Sequence, residues 1–210
     1  MKLLDIIITI ACGEAAALVF ADFLKEYDQY SIIRWSFLFI FPILGVVALW
    51  LADLIKPKFG FVSEIVKYVL VGVVSVFSDL KIFSLLVWIL GSEVAIVSGF
   101  IKAISFSFAT FVKFIGTKYW TFNDKSRSDV DREIIKFVLV TLVGLVINVG
   151  TFYYLSRILG TQFGISENLW LKISVVVSAL VAAAWNFLSC KFIVFRTNQI
   201  EAPDEINNNL

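Results

Sequence analysis

Six stretches of this chain are apolar for long enough to cross a bilayer, and the polar positions collect between them. They run at about Leu4 to Phe23, Trp35 to Ile55, Ile65 to Leu90, Val94 to Tyr119, Ile134 to Leu159 and Leu169 to Ile193. A hydrocarbon core about 30 Å thick takes roughly 20 helical residues at about 1.5 Å each, and every stretch supplies that length. The runs are continuously apolar rather than alternating, which predicts helices; a lone strand leaves its backbone groups unpaired in lipid. The pattern therefore predicts an all-α integral membrane protein with six transmembrane helices. The first stretch opens Met-Lys and contains Ala15, Ala16 and Ala17, as a signal peptide does. A single lysine before it and Glu14 within it predict an uncleaved span instead.

The basic residues fall unequally on the two sides of these spans. One side collects Lys2, Lys56, Lys58, Lys67, Lys118, Lys125, Arg127, Arg132, Lys136, Lys191 and Arg196, eleven in all; the other has four, Lys25, Arg34, Lys102 and Lys172. Lys81, Lys113 and Arg157 lie within spans. Cytoplasmic loops are enriched in Lys and Arg, so both termini are expected in the cytoplasm of a multi-pass protein of the cell inner (cytoplasmic) membrane. Tyr68, Tyr119, Trp120 and Phe195 at the inner boundary, with Trp35 and Trp170 at the outer one, are expected as interfacial aromatic belts. The polar tail from Thr197 to Leu210 reads as disordered.

Composition narrows the function classes. With 60% hydrophobic and 17% charged residues and a mean hydropathy of +0.90, the surface must face lipid. A net charge of +1 gives no reason to expect a nucleic-acid partner. Cys12 and Cys190 sit in apolar runs without metal-ligand or disulfide spacing and read as small buried hydrophobes. Histidine is absent, and so are a Gly-rich phosphate loop and a nucleophile elbow, so no catalytic residue, metal or cofactor is assigned. The acidic run Asp124, Asp129, Asp131 and Glu133 reads as a solvated, mixed-charge loop.

The chain also repeats itself. Glu64-Ile-Val-Lys-Tyr-Val-Leu-Val matches Glu133-Ile-Ile-Lys-Phe-Val-Leu-Val at an offset of 69, and at that offset Asp79 meets Asn148 and Phe83 meets Phe152. Phe114-Ile-Gly-Thr-Lys118-Tyr-Trp-Thr-Phe122 matches Phe187-Leu-Ser-Cys-Lys191-Phe-Ile-Val-Phe195 at an offset of 73. Each copy is a two-helix hairpin, so the copies share one orientation and are related by an axis along the membrane normal. The first two spans lie outside the repeat and form an extra hairpin.

Lys67-Tyr-Val-Leu-Val-Gly72 with Asp79, the Phe114 to Phe122 element, Lys136-Phe-Val-Leu-Val with Asn148, and Asn186-Phe-Leu-Ser-Cys-Lys191-Phe-Ile-Val-Phe195 together resemble the GtrA-like family of short four-helix membrane proteins. The resemblance covers about residues 61 to 198 and implies a four-helix domain there, with a hairpin at residues 1 to 60 before it and a polar tail at 199 to 210. It implies a part in moving, or helping to use, polyprenyl-phosphate-linked sugars for bacterial cell-envelope polysaccharide. Two departures stand out: Lys113 occupies the place where the family usually has an asparagine, as at Asn186, and the extra hairpin leaves open a docking or assembly role.

The candidate substrate-binding residues are Asp79, Lys81, Lys113, Asn148, Asn186, Lys118, Lys191 and Arg196. Counting from Tyr68 at about 1.5 Å per residue puts Asp79 roughly 16 Å deep, where a charge costs about 3 kcal/mol or more without a partner. It serves either as glue between helices or in a polar transport path. Asp79 and Lys113 stand where the second copy has Asn148 and Asn186, so the exchange reads as compensated, and Asp79 is expected to pair with Lys113 and Asn148 with Asn186. Lys113 alternatively snorkels to the interface. Lys81 meets either a lipid phosphate or an internal partner such as Glu93, and Glu14 pairs with another span or is neutral. Lys118, Lys191 and Arg196 are placed for a polyprenyl-phosphate head at the inner surface, and Arg157 near the outer end of its span for the same phosphate on the far side.

The reading that unites these residues is a translocator for a polyprenyl-phosphate-linked monosaccharide, with membrane lipids around it and a homodimer natural for so small a bundle. The other reading is a non-transporting subunit that anchors or activates a membrane glycosyltransferase. A small channel or solute carrier needs a continuous water-filled path. No small-xxx-small face stands out to specify a dimer.

Overall fold

The computed structural model describes residues 2–23, 31–90, 95–126, 129–162, 164 and 166–195. Its helices are α1 (Leu3–Phe23), α2 (Ser31–Ile55), α3 (Phe61–Leu90), α4 (Ala95–Ile115), α5 (Val130–Tyr153) and α6 (Glu167–Ser189). The last three run on into π-helical turns at Gly116–Thr121, Tyr154–Leu159 and Cys190–Val194. Among the described residues there are six helical stretches long and apolar enough to cross a membrane, and no strand. Arg196, Glu93 and the tail from residue 197 lie outside the described residues.

The helix ends depart from the apolar windows where polar residues find partners. α3 begins at Phe61 rather than Ile65, because its first turn holds Ser63, whose hydroxyl donates to Asp53 Oδ1 at 3.0 Å, and Glu64, an acid at the positive end of the helix. Backbone hydrogen bonding continues through such residues whatever their hydropathy.

The chain forms two compact units, residues 1–123 and 124–210. In the first, α1 and α2 make an antiparallel hairpin that packs on α3. Thr9, Gly13 and Ala17 line the buried side of α1 four residues apart, so the small-xxx-small stripe exists and serves the hairpin. It meets α2 where Pro42 sits inside that helix. A Cβ built on Gly13 falls 2.4 Å from Pro42 Cα and 2.6 Å from its nitrogen, so the two backbones touch there. Cys12 is buried against Val71 and Trp120 with Ile8, Leu70 and Val74 around them. Cys190 is buried as well, and both thiols are free.

The repeat is visible in the packing. In α4 the buried stripe is Ile101, Ser105 and Ala109; in α6 it is Ser174, Ser178 and Ala182, the same positions at the offset of 73. Both copies of the Phe-x-x-x-Lys element break into a π turn, which leaves orphaned backbone groups and recurs at functional sites. The aromatic belt is smaller than expected. Trp35 and Tyr119 are exposed, whereas Tyr68, Trp120, Trp170 and Phe195 are buried; the two buried tryptophans are held by indole N–H groups that reach internal acceptors, Trp170 Nε1 donating to the Leu155 carbonyl at 2.9 Å. Trp88, near the end of α3, is the most exposed tryptophan in that helix's half of the repeat. The acidic run is likewise only half solvated. Asp124 and Glu133 are buried, and Asp124 Oδ1 accepts the Ser126 N–H at 2.9 Å.

Candidate functional site

The polar group deepest in α3 is built by the register of the α3–α4 hairpin. Ser75 Oγ donates to the Ala109 carbonyl at 2.9 Å, and one turn further along α3 Asp79 stands opposite Ser105. Ser105 Oγ donates to Asp79 Oδ1 at 2.7 Å, and Lys102 Nζ donates to Asp79 Oδ2 at 2.5 Å. Ser105 is fully buried, Asp79 is largely buried, and the Lys102 side chain remains 54% exposed with its ammonium 5.8 Å from the Phe83 ring centroid. Both carboxylate oxygens are therefore satisfied and the charge is neutralised within the hairpin. The ammonium keeps N–H groups that point away from Asp79 and are open to a ligand.

This arrangement replaces the expected Asp79–Lys113 pair. Lys113 lies eight residues beyond Ser105, about 12 Å along α4, and its ammonium sits 5.3 Å from the Tyr68 ring centroid. The expected Asn148–Asn186 pair is also replaced. Asn186 lies against Gly144, whose added Cβ falls 2.3 Å from Asn186 Oδ1 and 2.6 Å from Nδ2. That oxygen is buried without a hydrogen-bond partner among the described residues, while Asn148 is partly buried one turn further along α5. A compensated exchange at two positions of a repeat does not make them neighbours; the register of the hairpin decides that. Gly144→Ala is expected to push the Asn186 amide aside and to cost about 1–3 kcal/mol, measured by thermal unfolding in detergent. Adding Asn186→Ala is expected to recover most of the loss.

The remaining candidates scatter. Lys81 is exposed on α3 with its ammonium 5.7 Å from the Phe77 ring centroid. Lys118 is wholly enclosed, because its π turn sets Gly116 against Val71 and rolls the lysine inward, so it does not meet a phosphate at the surface. Lys191, its counterpart in the other unit, is only partly buried. Arg157 is exposed, and Glu14 is partly buried with no hydrogen-bond or ion-pair partner among the described residues. No cluster of three or more Cys, Asp or Glu among the described residues suits a metal.

Two groups escape the sequence reading. Lys102 counts there with the outer loop, although it lies within α4, and Ser105 is one of many serines; a hairpin register whose paired numbers sum to about 184 picks out both. The second group is at the basic end, where Asp5 Oδ1 accepts from Lys67 Nζ at 2.6 Å and from Trp120 Nε1 at 2.9 Å. Lys67 also lies 5.5 Å from the Trp120 ring centroid. These bonds tie α1 to the repeat.

The family model described as the GtrA/DPMS transmembrane domain matches residues 67–195. The chain belongs to this family. Neither a curated protein nor a solved structure matches it. For this GtrA/DPMS chain, membership supports a membrane role connected with polyprenyl-phosphate sugars. The match begins at Lys67, the residue that Asp5 holds, and ends at Phe195, so α1 and α2 are additions tied to its first helix.

Proposed function

We propose that the protein translocates a polyprenyl-phosphate-linked monosaccharide across the bacterial cytoplasmic membrane for cell-envelope polysaccharide synthesis, with its basic end in the cytoplasm. The observation that carries this reading is the Asp79–Lys102–Ser105 group inside the span, neutral as a whole and open on its ammonium side. A head bearing hydroxyls and a phosphate cannot enter hydrocarbon without replacing its lost water contacts. Lys102 supplies cationic N–H donors to the phosphate. Asp79, released from the ammonium, accepts sugar hydroxyls. The second repeat carries uncharged amides, Asn148 and Asn186, at the corresponding positions of its own unit. Lys191 near the basic end meets the phosphate on entering and Lys81 on α3 meets it on leaving, while the prenyl tail stays in lipid. No nucleotide-binding element is present in the sequence, so the lipid moves down its own gradient, drawn by its consumption on the far side.

The test is movement of a fluorescent polyprenyl-phosphate monosaccharide across liposomes containing only the purified full-length protein. Wild type is expected to move it, and Asp79→Asn and Lys102→Met are expected to slow it by about tenfold or more, the effect of roughly 1.4 kcal/mol at the barrier. Unchanged rates in both variants assign the pair to helix packing alone. A second reading, the subunit that anchors or activates a glycosyltransferase, is favoured by the Asp5 tie of the added hairpin to Lys67 and Trp120. No movement by folded wild type decides for it.

A further inference from the structure

The two repeats present the same face, and only one of them is covered. On α3 that face is Lys67, Leu70, Val71 and Val74: α1 lays Cys12 and Ile8 against the three aliphatic residues, and Asp5 takes the lysine. At the offset of 69, α5 carries Lys136, Leu139, Val140 and Val143, the same four residue types in the same order. Val140 is buried within its own unit, but Leu139 is 56% and Val143 45% exposed. Lys136 has no hydrogen-bond or ion-pair partner among the described residues. Lipid alone asks only that such positions be apolar, since its tails solvate any aliphatic side chain equally well. Retaining each residue type together with the lysine is what a helix-binding face requires.

We infer that the α5 face through Lys136, Leu139 and Val143 docks a transmembrane helix of another membrane protein that carries a carboxylate near the basic end, as α1 docks on α3. Charge selects this occupant. Two copies meeting through this face about an axis along the membrane normal bring two Lys136 ammonium groups to one depth in a poorly screened medium, which opposes self-association. A helix bearing an acid where α1 has Asp5, an aliphatic residue three positions on and a small residue seven positions on satisfies the same lysine and fits the same ridge. One difference sets the strength. Ile193 stands where the first repeat has Trp120, so the incoming carboxylate finds the ammonium but no indole N–H. The partner is held less tightly than α1 and is separable.

The probe is a synthetic peptide of residues 1–24 with Ile8→Cys and Cys12→Ser, added to full-length protein carrying Leu139→Cys in nanodiscs and read as disulfide cross-linking. Cross-linking is expected at Leu139→Cys, with a yield about tenfold lower when the protein also carries Lys136→Leu or the peptide carries Asp5→Leu. Exchanging the charges, Lys136→Asp against Asp5→Lys, is expected to restore it. The inference is overturned by equal cross-linking at the exposed Val149→Cys, which marks lipid-like random contact, or by indifference to Lys136→Leu. Cross-linking at Leu70→Cys in place of Leu139→Cys overturns it by showing displacement of the chain's own α1. Protein-to-protein cross-linking through Leu139→Cys without peptide overturns it in favour of a second copy.

Discussion

Gly13→Ala is expected to lower the stability of the protein by about 3 kcal/mol or more, the upper end of the range for overpacking. The added methyl lands 2.4 Å from Pro42 Cα, 2.6 Å from Pro42 nitrogen and 2.9 Å from the Phe41 carbonyl carbon. All three are backbone atoms, so no rotamer change relieves the clash and the helices must separate. Separation also removes the neighbours of Thr9 and Ala17, both fully buried on the same stripe. The measurement is thermal unfolding in detergent followed with a thiol-reactive dye, because Cys12 and Cys190 are buried and react only when the bundle opens. A wild-type melting temperature in Gly13→Ala is the result that removes this contact from the account. An alanine at Gly72, around which no atom lies within 4 Å of the added Cβ, is the matched control.

Asp5→Ala is the second large effect, at about 2–3 kcal/mol. Breaking a fully buried ion pair by deleting one partner costs about 3–5 kcal/mol. Here the side chains of Lys67 and Asp5 are 17% and 15% exposed, so part of that penalty is met by water. Both donors lose their acceptor at once, since Lys67 Nζ and Trp120 Nε1 share Oδ1. Asp5→Asn keeps an acceptor oxygen without the charge and is expected to fall between wild type and Asp5→Ala. Asp5→Leu combined with Lys67→Met is expected to recover the ionic part of the loss, because an apolar pair leaves no charge stranded, while the Trp120 N–H still lacks its acceptor. Unfolding by a denaturing detergent, compared across these variants, checks the order.

The legible part of the molecule is the part governed by short-range requirements. The six spans follow from runs of apolar residues, and the observed helices keep to them within a few residues, α2, α3 and α5 each starting four residues early. The repeat follows from matched residues, and the paired π turns at Gly116–Thr121 and Cys190–Val194 place it in the structure. The polar partners are another matter. Asp79 is marked by its depth, yet depth along one helix says nothing of the register of the next, and a shift of eleven residues in α4 exchanges Lys113 for Lys102. Trp120 sits at a span boundary as a belt residue does, but which side of the helix it occupies depends on Asp5, over a hundred positions away.

The sequence by itself determined that this chain is a bundle of apolar helices with a duplicated hairpin, and that a few charges lie too deep to be idle. In lipid each backbone must complete its own hydrogen bonds, so helix formation is local and readable from one stretch at a time. Tertiary structure alone decided which faces meet. Lipid tails are as apolar as leucine, so an apolar face that packs and one that faces lipid look alike in sequence. Small residues such as Gly13 and Gly144, which let backbones or amides approach, and polar groups such as Asp5 and Asp79, which must find a donor, break that tie only once the helices are side by side.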